Sequence, residues 1–471
     1  MLAILKKRLK KNKYLRFFYF QGKNFLCKWK RPGIKDLDCK LSQINNKLDT
    51  LNSLSVDNAS KDKLLKEIQN DKERLAFVTI LPPDDSGIAV IGLYSFLESK
   101  DEIDIFCPPV DFESYILNSR IIEKNNNLRL YNQKDLVLAA KLFSYKKIII
   151  AIGNSSHHFY IIPLLRRLKT EHLEDKVVLY VHDVYLWNIL FDGQNHTCSS
   201  FRKEISEIYG NIKLTSVDDK WTLQKELVHK YSLCGFKVFQ KKFGIQNVLT
   251  NSEIAARLIK KDLSNDSALI SFNKIFLPLV TKFTHEAKPV TKNLIEEKLA
   301  NFSYIGSFGV LSDEKRTDDL LKVFKIFKKE NRKIKLVLAG WGAKRYIDLN
   351  KNLVSDNVIV IDSPNDSDLA FLMRYVDFAV QLRKHSLGES SGVVPMLLEL
   401  GKTVLVSRIG SFEEFGNEVV FCSGTDNESL KRDILSMLSF SKYPSTEAMN
   451  KFVSEHSISR FSSTLHELFL K

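Results

Sequence analysis

The five residues Gly388-Glu389-Ser390-Ser391-Gly392 constrain this chain more than any other stretch. A strand-like run, Asp377 to Leu382, precedes them, and an apolar run of helical character, Val393 to Leu400, follows. Gly401-Lys402 and a second strand-like run, Thr403 to Val406, come next. Small residues therefore sit where a strand ends and a helix begins. There the first helical N–H groups lack intrachain partners, and the helix dipole favours an anion. A carboxylate at such a place fits a ligand with hydroxyls as well as phosphates. Glu389 can accept hydrogen bonds from a sugar while neighbouring amides hold phosphate oxygens. The stretch predicts a nucleotide-sugar site with Glu389, Ser390, Ser391 and Gly392 in contact with the ligand.

At 471 residues the chain is too long for one core, and two domains are expected. Six cysteines, Cys27, Cys39, Cys107, Cys198, Cys234 and Cys422, are scattered without a C-x-x-C pair. That pattern predicts free thiols in a reducing cytoplasm, not a disulfide frame or a zinc site. No run approaches the ~18 apolar residues of a spanning helix, and the start does not read as a secretory signal.

The net charge of +15 is unevenly placed. Residues 1–31 hold eleven Lys/Arg and no acid, so the other 440 residues carry only +4. Phe17, Phe18, Phe25 and Trp29 interleave with these charges. Basic residues beside aromatics fit a segment lying on an anionic membrane surface. A solvated basic tail and nucleic-acid binding are the competing readings, and nothing else in the chain reads as a nucleic-acid module. Leu37, Leu41, Ile44, Leu48 and Leu51 then recur at heptad spacing. The seam suits either an amphipathic helix on its own protein or a self-association stalk, and is short for a coiled coil.

From Leu75 onward strands and helices alternate. Strands are predicted at 76–81, 103–107, 147–152, 177–181 and 247–250, and a second series at 302–306, 335–339, 358–361 and 377–382. Such alternation implies parallel sheets wrapped on both faces. The polar stretch Thr281 to Lys298 marks the boundary. The expected division is a basic, helical extension 1–74, a Rossmann-like acceptor domain 75–290, and a Rossmann-like nucleotide-sugar domain 291–471 whose last helix is able to cross back. Facing doubly wound domains leave a cleft at the carboxyl ends of both sheets.

Four motifs in this body carry a resemblance. Pro82-Pro83-Asp84-Asp85-Ser86-Gly87-Ile88-Ala89 forms a turn into a helix. Ile152-Gly153-Asn154-Ser155-Ser156-His157-His158 is followed by Val181-His182-Asp183. Thr250-Asn251-Ser252-Glu253 ends a strand, and Leu382-Arg383, Gly388 to Gly392 and Gly401-Lys402 complete the set. In order and spacing they resemble the motifs of bacterial glycosyltransferases of family 4 and close relatives, from about Leu75 to Leu438.

The resemblance implies the GT-B fold, a donor-binding carboxyl-terminal domain and catalysis without a metal; no D-x-D pair or His/Cys cluster reads as a metal site. Lys315-Arg316, where the family keeps a basic pair, would neutralise the leaving diphosphate, though two exposed charges near a helix start remain the alternative. Gly87 and Gly306 are further donor-binding candidates. The family's E-x₇-E pattern is broken: the eighth position after Glu389 is Leu397. Glu399 nearby is either the ribose ligand or a charge on a helix turn. His158 is the expected donor-contacting histidine, preferred over His157. Asn154, His182 and Asp183 are expected in the cleft wall, although the last two also suit a polar pair closing a strand.

These residues predict a retaining hexosyltransferase using a nucleoside-diphosphate sugar. Its acceptor would be a lipid-linked glycan in surface-polysaccharide synthesis, met by a cytoplasmic enzyme peripheral to the inner face of the plasma membrane. A nucleotide-sugar epimerase and a non-catalytic scaffold of the same fold are the alternatives.

Overall fold

In the computed structural model of the chain, residues 73–84, 86–210, 212–280, 302–385, 388–439 and 444–471 are described. The basic segment 1–31, the heptad seam 37–51 and the boundary stretch 281–298 lie outside them. Seven strands make the first sheet: β1 (Arg74–Val78), β2 (Ile103–Cys107), β3 (Leu128–Asn132), β4 (Tyr145–Ile152), β5 (Val177–Val181), β6 (Asn247–Thr250) and β7 (Ser271–Lys274). Six make the second: β8 (Ser303–Phe308), β9 (Ile334–Gly340), β10 (Val358–Asp362), β11 (Phe378–Gln381), β12 (Val404–Val406) and β13 (Val420–Phe421). Every pairing is parallel.

The central strands read as unbroken apolar runs because both faces of each sheet are covered. All five residues of β5, Val-Val-Leu-Tyr-Val, are buried. The outer strands β3 and β7 carry polar residues. Arg129 on β3 reaches across to Asp104 and Glu102, at 2.9 and 2.8 Å. Asp104 is fully buried on β2 and also takes Arg74, at 3.2 Å, and the Tyr145 hydroxyl, at 2.5 Å. Removing one partner of such a buried pair typically costs about 3–5 kcal/mol.

The helices that shape the site are α1 (Gly87–Tyr94), α2 (Trp187–Asp192), α3 (Glu253–Leu263), α4 (Thr317–Lys329), α5 (Val393–Glu399), α6 (Thr446–Glu455) and α7 (Ile458–Phe469). In α4, Leu320, Leu321, Phe324 and Phe327 fall on one face, with Asp318 and Asp319 in the first turn and Lys328 and Lys329 in the last. That charge order complements the helix dipole. Phe452 of α6 joins the core of the second sheet. Phe461 and Leu465 of α7 instead pack with Phe77 and Phe96 of the first.

The strand orders are β3-β2-β1-β4-β5-β6-β7 and β10-β9-β8-β11-β12-β13. Both reverse direction once, between β1 and β4 and between β8 and β11. In open parallel sheets that switch point opens a crevice beyond the strands' carboxyl ends, where ligands bind. The motifs after β1 and β4, and those after β8 and β11, flank these two crevices.

Candidate active site

At the second crevice the loop after β8 brings Lys315, and the loop after β11 brings Arg383 and Glu389. Glu389 Oε1 lies 3.7 Å from Arg383 Nε. Burial, then the Arg383 charge, pushes the Lys315 ammonium down to about 8, against the pull of Glu389. Burial also lowers Arg383, again against Glu389. Two desolvated cations beside one carboxylate leave a net positive pocket suited to a diphosphate. Arg383 is a site residue that the motifs alone do not single out; its signal in the sequence is the Leu382-Arg383 pair at the end of a strand.

Ser390 and Ser391 follow Glu389. Ser391 Oγ accepts from the Val394 amide and so caps the entry to α5, while Gly392 is exposed at the helix start. Gly388 stands at φ 87°, and a Cβ there would come within 2.8 Å of Leu258 and 2.9 Å of Val184. Both are residues of the first domain, so the glutamate loop lies flush against it. Burial, first, and nearby charges that include Glu389 push the Tyr185 phenol up to about 12.

Two expected donor residues, Arg316 and Gly306, serve the fold instead. Arg316 is 4% exposed, and its guanidinium is held by Asp319 at 2.9 Å and by the Thr425 carbonyl at 2.5 Å. It anchors the start of α4, while Lys315 faces the pocket. Gly306 lies inside β8, not at its end; a Cβ there would meet the Phe308 ring at 2.4 Å. Its role is to admit that ring. Glu399 ends α5, about 10 Å along the axis from Gly392 by helix rise. Gly87 opens α1 behind the cap Ser86, and a Cβ there would meet nothing within 4 Å. Asp366-Ser367-Asp368 has D-x-D spacing but fills the first turn of a helix capped by Asn365.

The first crevice is different. A Cβ on Gly153 would lie 3.0 Å from Asp183 Oδ2 and 3.2 Å from His158 Nε2, so both groups converge over that glycine. His158 is fully buried, and neither ring nitrogen makes a well-formed hydrogen bond. Burial, then His157, lowers it to about 4, against the Ala151 carbonyl. Burial, then His158, lowers His182 to about 3. Burial raises the Asp183 carboxyl, against its hydrogen bond from the Asn154 amide at 2.7 Å. Asn154 serves the fold: its Oδ1 accepts from the Asn188 and Ile189 amides at the start of α2. His157 bonds Asp84, at 3.0 Å, tying the loops after β1 and β4.

Residues 292–453 match the family Glycosyl transferases group 1. That match covers the second sheet and its loops. No curated protein sequence matches the chain significantly. Among solved structures, HepE of Anabaena in complex with UDP-glucose is similar at 12% identity and a TM-score of 0.56, over 84% of this chain and 98% of that one. Sucrose-phosphate synthase from Thermosynechococcus elongatus is similar at 11% identity and 0.56, over 85% and 98%. A UDP-forming α,α-trehalose-phosphate synthase from Burkholderia xenovorans, with glucose-6-phosphate, gives 11% and 0.51, over 85% and 100%. The fold is GT-B, two Rossmann-like domains each built on a parallel sheet, and the second carries a group 1 glycosyltransferase domain.

Proposed function

We propose that the protein transfers a sugar from a nucleoside diphosphate to a glycan acceptor. The convergence of Lys315, Arg383 and Glu389 at the β8/β11 switch point carries this reading. Lys315 and Arg383 would hold the diphosphate, and Glu389 would accept hydrogen bonds from sugar hydroxyls, with the Ser390 and Ser391 amides beside it. The group 1 domain and the UDP-glucose bound by HepE support a nucleotide sugar as donor.

His158, His182 and Asp183 would form the facing wall, where neutral polar groups can bond a sugar or acceptor hydroxyl without adding charge. The reaction would proceed with retention. The acceptor oxygen bonds to the anomeric carbon as the bond from that carbon to the phosphate oxygen breaks. The acceptor proton passes to the leaving diphosphate on the same face. Lys315 and Arg383 stabilise the charge that develops there, so the reaction would need no metal.

The acceptor would be lipid-linked, because residues 1–31 join eleven cations to Phe and Trp. That places the enzyme at the inner membrane face, in surface-polysaccharide synthesis. Flotation with anionic vesicles tests this part: the full chain should float and a chain lacking 1–31 should not. Equal flotation of both would defeat the membrane assignment.

For the reaction itself, the test is incubation with nucleotide sugars and short glycans, followed by mass spectrometry. A glycoside and an equal amount of nucleoside diphosphate are expected. Conversion of one nucleotide sugar to another without an acceptor would instead show the epimerase.

A further inference from the structure

We infer that Glu414 is a positioning residue that clasps the two domains together and thereby fixes the loop carrying Glu389. This rests on the reading of Glu389 as a donor ligand. The short turn Gly410–Glu414 follows β12 in the second domain. Its last residue reaches into the first. Glu414 Oε1 accepts from the Ile254 amide and Oε2 from the Glu253 amide, each at 3.0 Å. Those are the leading N–H groups of α3, which have no partners within the helix. Lys274, at the end of β7, adds an ion pair to Oε2 at 2.9 Å. One carboxylate thus takes three donors from the opposite domain.

The same elements hold the peptide on each side of the Glu389 α-carbon. Ser252, the cap of α3, donates from Oγ to the Gly388 carbonyl at 3.3 Å. Ser411, three residues before Glu414, donates from Oγ to the Glu389 carbonyl at 2.6 Å. The left-handed backbone of Gly388, pressed on Val184 and Leu258, completes the seat. Opening the domains at this edge would strip Glu414 of its donors and part Ser252 from Gly388. The loop would then lose one anchor outright and the rigid footing of the other. Lys315 stands on a different loop, after β8, and the Arg383 amide is held within its own domain by Ser407 Oγ at 3.0 Å, so neither diphosphate cation hangs on the clasp. A cavity lined by Asn251, Lys274, Ser390, Ser411, Glu414 and His456 lies beside these contacts.

Glu414→Ala and Glu414→Gln test this against Glu418→Ala, a neighbouring carboxylate bonded to the Gly416 amide. The first readout is hydrogen exchange of the ligand-free full-length protein. In Glu414→Ala, faster exchange is expected in peptides covering 252–256 and also 388–392, with the Glu418→Ala profile like wild type. Faster exchange confined to 252–256 would overturn the proposal, since the contact would then be local glue. The second readout is calorimetry with a nucleoside diphosphate and with the matching nucleotide sugar. Diphosphate affinity should stay within about twofold of wild type in Glu414→Ala. The extra affinity contributed by the sugar, and turnover, should fall at least tenfold, with Glu414→Gln between. Unchanged sugar-dependent affinity would overturn the proposal, as would an equal fall for both ligands. Failure of the wild type to bind any nucleotide sugar would defeat the reading of Glu389, while hydrogen exchange would still decide the clasp.

Discussion

The two crevices share a topology and differ in charge. At the β8/β11 switch point Lys315, Arg383 and Glu389 stand together, and Lys315 titrates near 8. At the β1/β4 switch point burial drives three groups toward their neutral forms: His158 to about 4, His182 to about 3, and Asp183 upward. The same parallel-sheet architecture therefore builds one charged wall and one in which buried groups are pushed toward neutrality. Desolvation acts on both. In the second crevice Glu389 stands beside Arg383 and pulls against that desolvation.

The largest expected effect breaks the charged side. Lys315→Ala and Arg383→Ala should each weaken nucleoside-diphosphate binding about 10- to 100-fold, as loss of a charged hydrogen bond costs roughly 1.5–3 kcal/mol. Equilibrium binding with labelled diphosphate measures this; unchanged affinity in both would remove the charged pocket from the account.

Glu389→Ala should reduce kcat/KM by about 10- to 100-fold on the same grounds, with diphosphate affinity retained. Steady-state kinetics beside diphosphate titration separates the two. A fall in diphosphate affinity alone would assign Glu389 to the fold of the pocket instead of the sugar.

The pH dependence should also split. In the free protein Lys315 loses its proton as pH rises through about 8, and a bound diphosphate favours the charged form. Affinity should thus decline above pH 8, by at most about tenfold per pH unit, with proton uptake on binding. Calorimetry in buffers of different ionisation enthalpy reads that uptake directly. On the neutral side, His158 is depressed below its ordinary ~6.5. Its contribution to stability is present above pH 6.5 and lost as pH falls through 4. His158→Gln should flatten part of the fall in melting temperature over that window. An identical profile in the variant would mean that other groups carry the acid sensitivity.

The smallest effect on binding belongs to Arg316→Ala. Its guanidinium is committed to Asp319 and Thr425. The variant should keep diphosphate affinity within about twofold and lose about 1–3 kcal/mol of stability. Denaturant unfolding and diphosphate titration on one preparation distinguish it from Lys315→Ala.

These contrasts show what the sequence could and could not display. The strands at 177–181, 247–250, 335–339 and 358–361 are legible, because apolar runs mark buried elements. β3 and β7 are not legible in the same way. Their Leu-Arg-Leu-Tyr-Asn and Ser-Phe-Asn-Lys sequences lack that pattern at the sheet edges, and Arg129 acquires its meaning from Asp104 on another strand. In the site, the motifs marked the loops but not the aim of each side chain. Arg316 looks like the twin of Lys315 until Thr425, 109 residues away, is seen to hold it. Arg383 gains a role only once the loops after β8 and β11 meet.

A melting-temperature measurement on the wild-type protein, against a panel of nucleotide sugars and their parent diphosphates, tests the central claim most directly. A ligand at ~100 times its dissociation constant adds about 2.7 kcal/mol to stability. At least one diphosphate and its sugar conjugate should raise the melting temperature of wild type, with a much smaller rise in Lys315→Ala. A panel that leaves the wild type unmoved, or one that stabilises wild type and Lys315→Ala alike, would contradict the account.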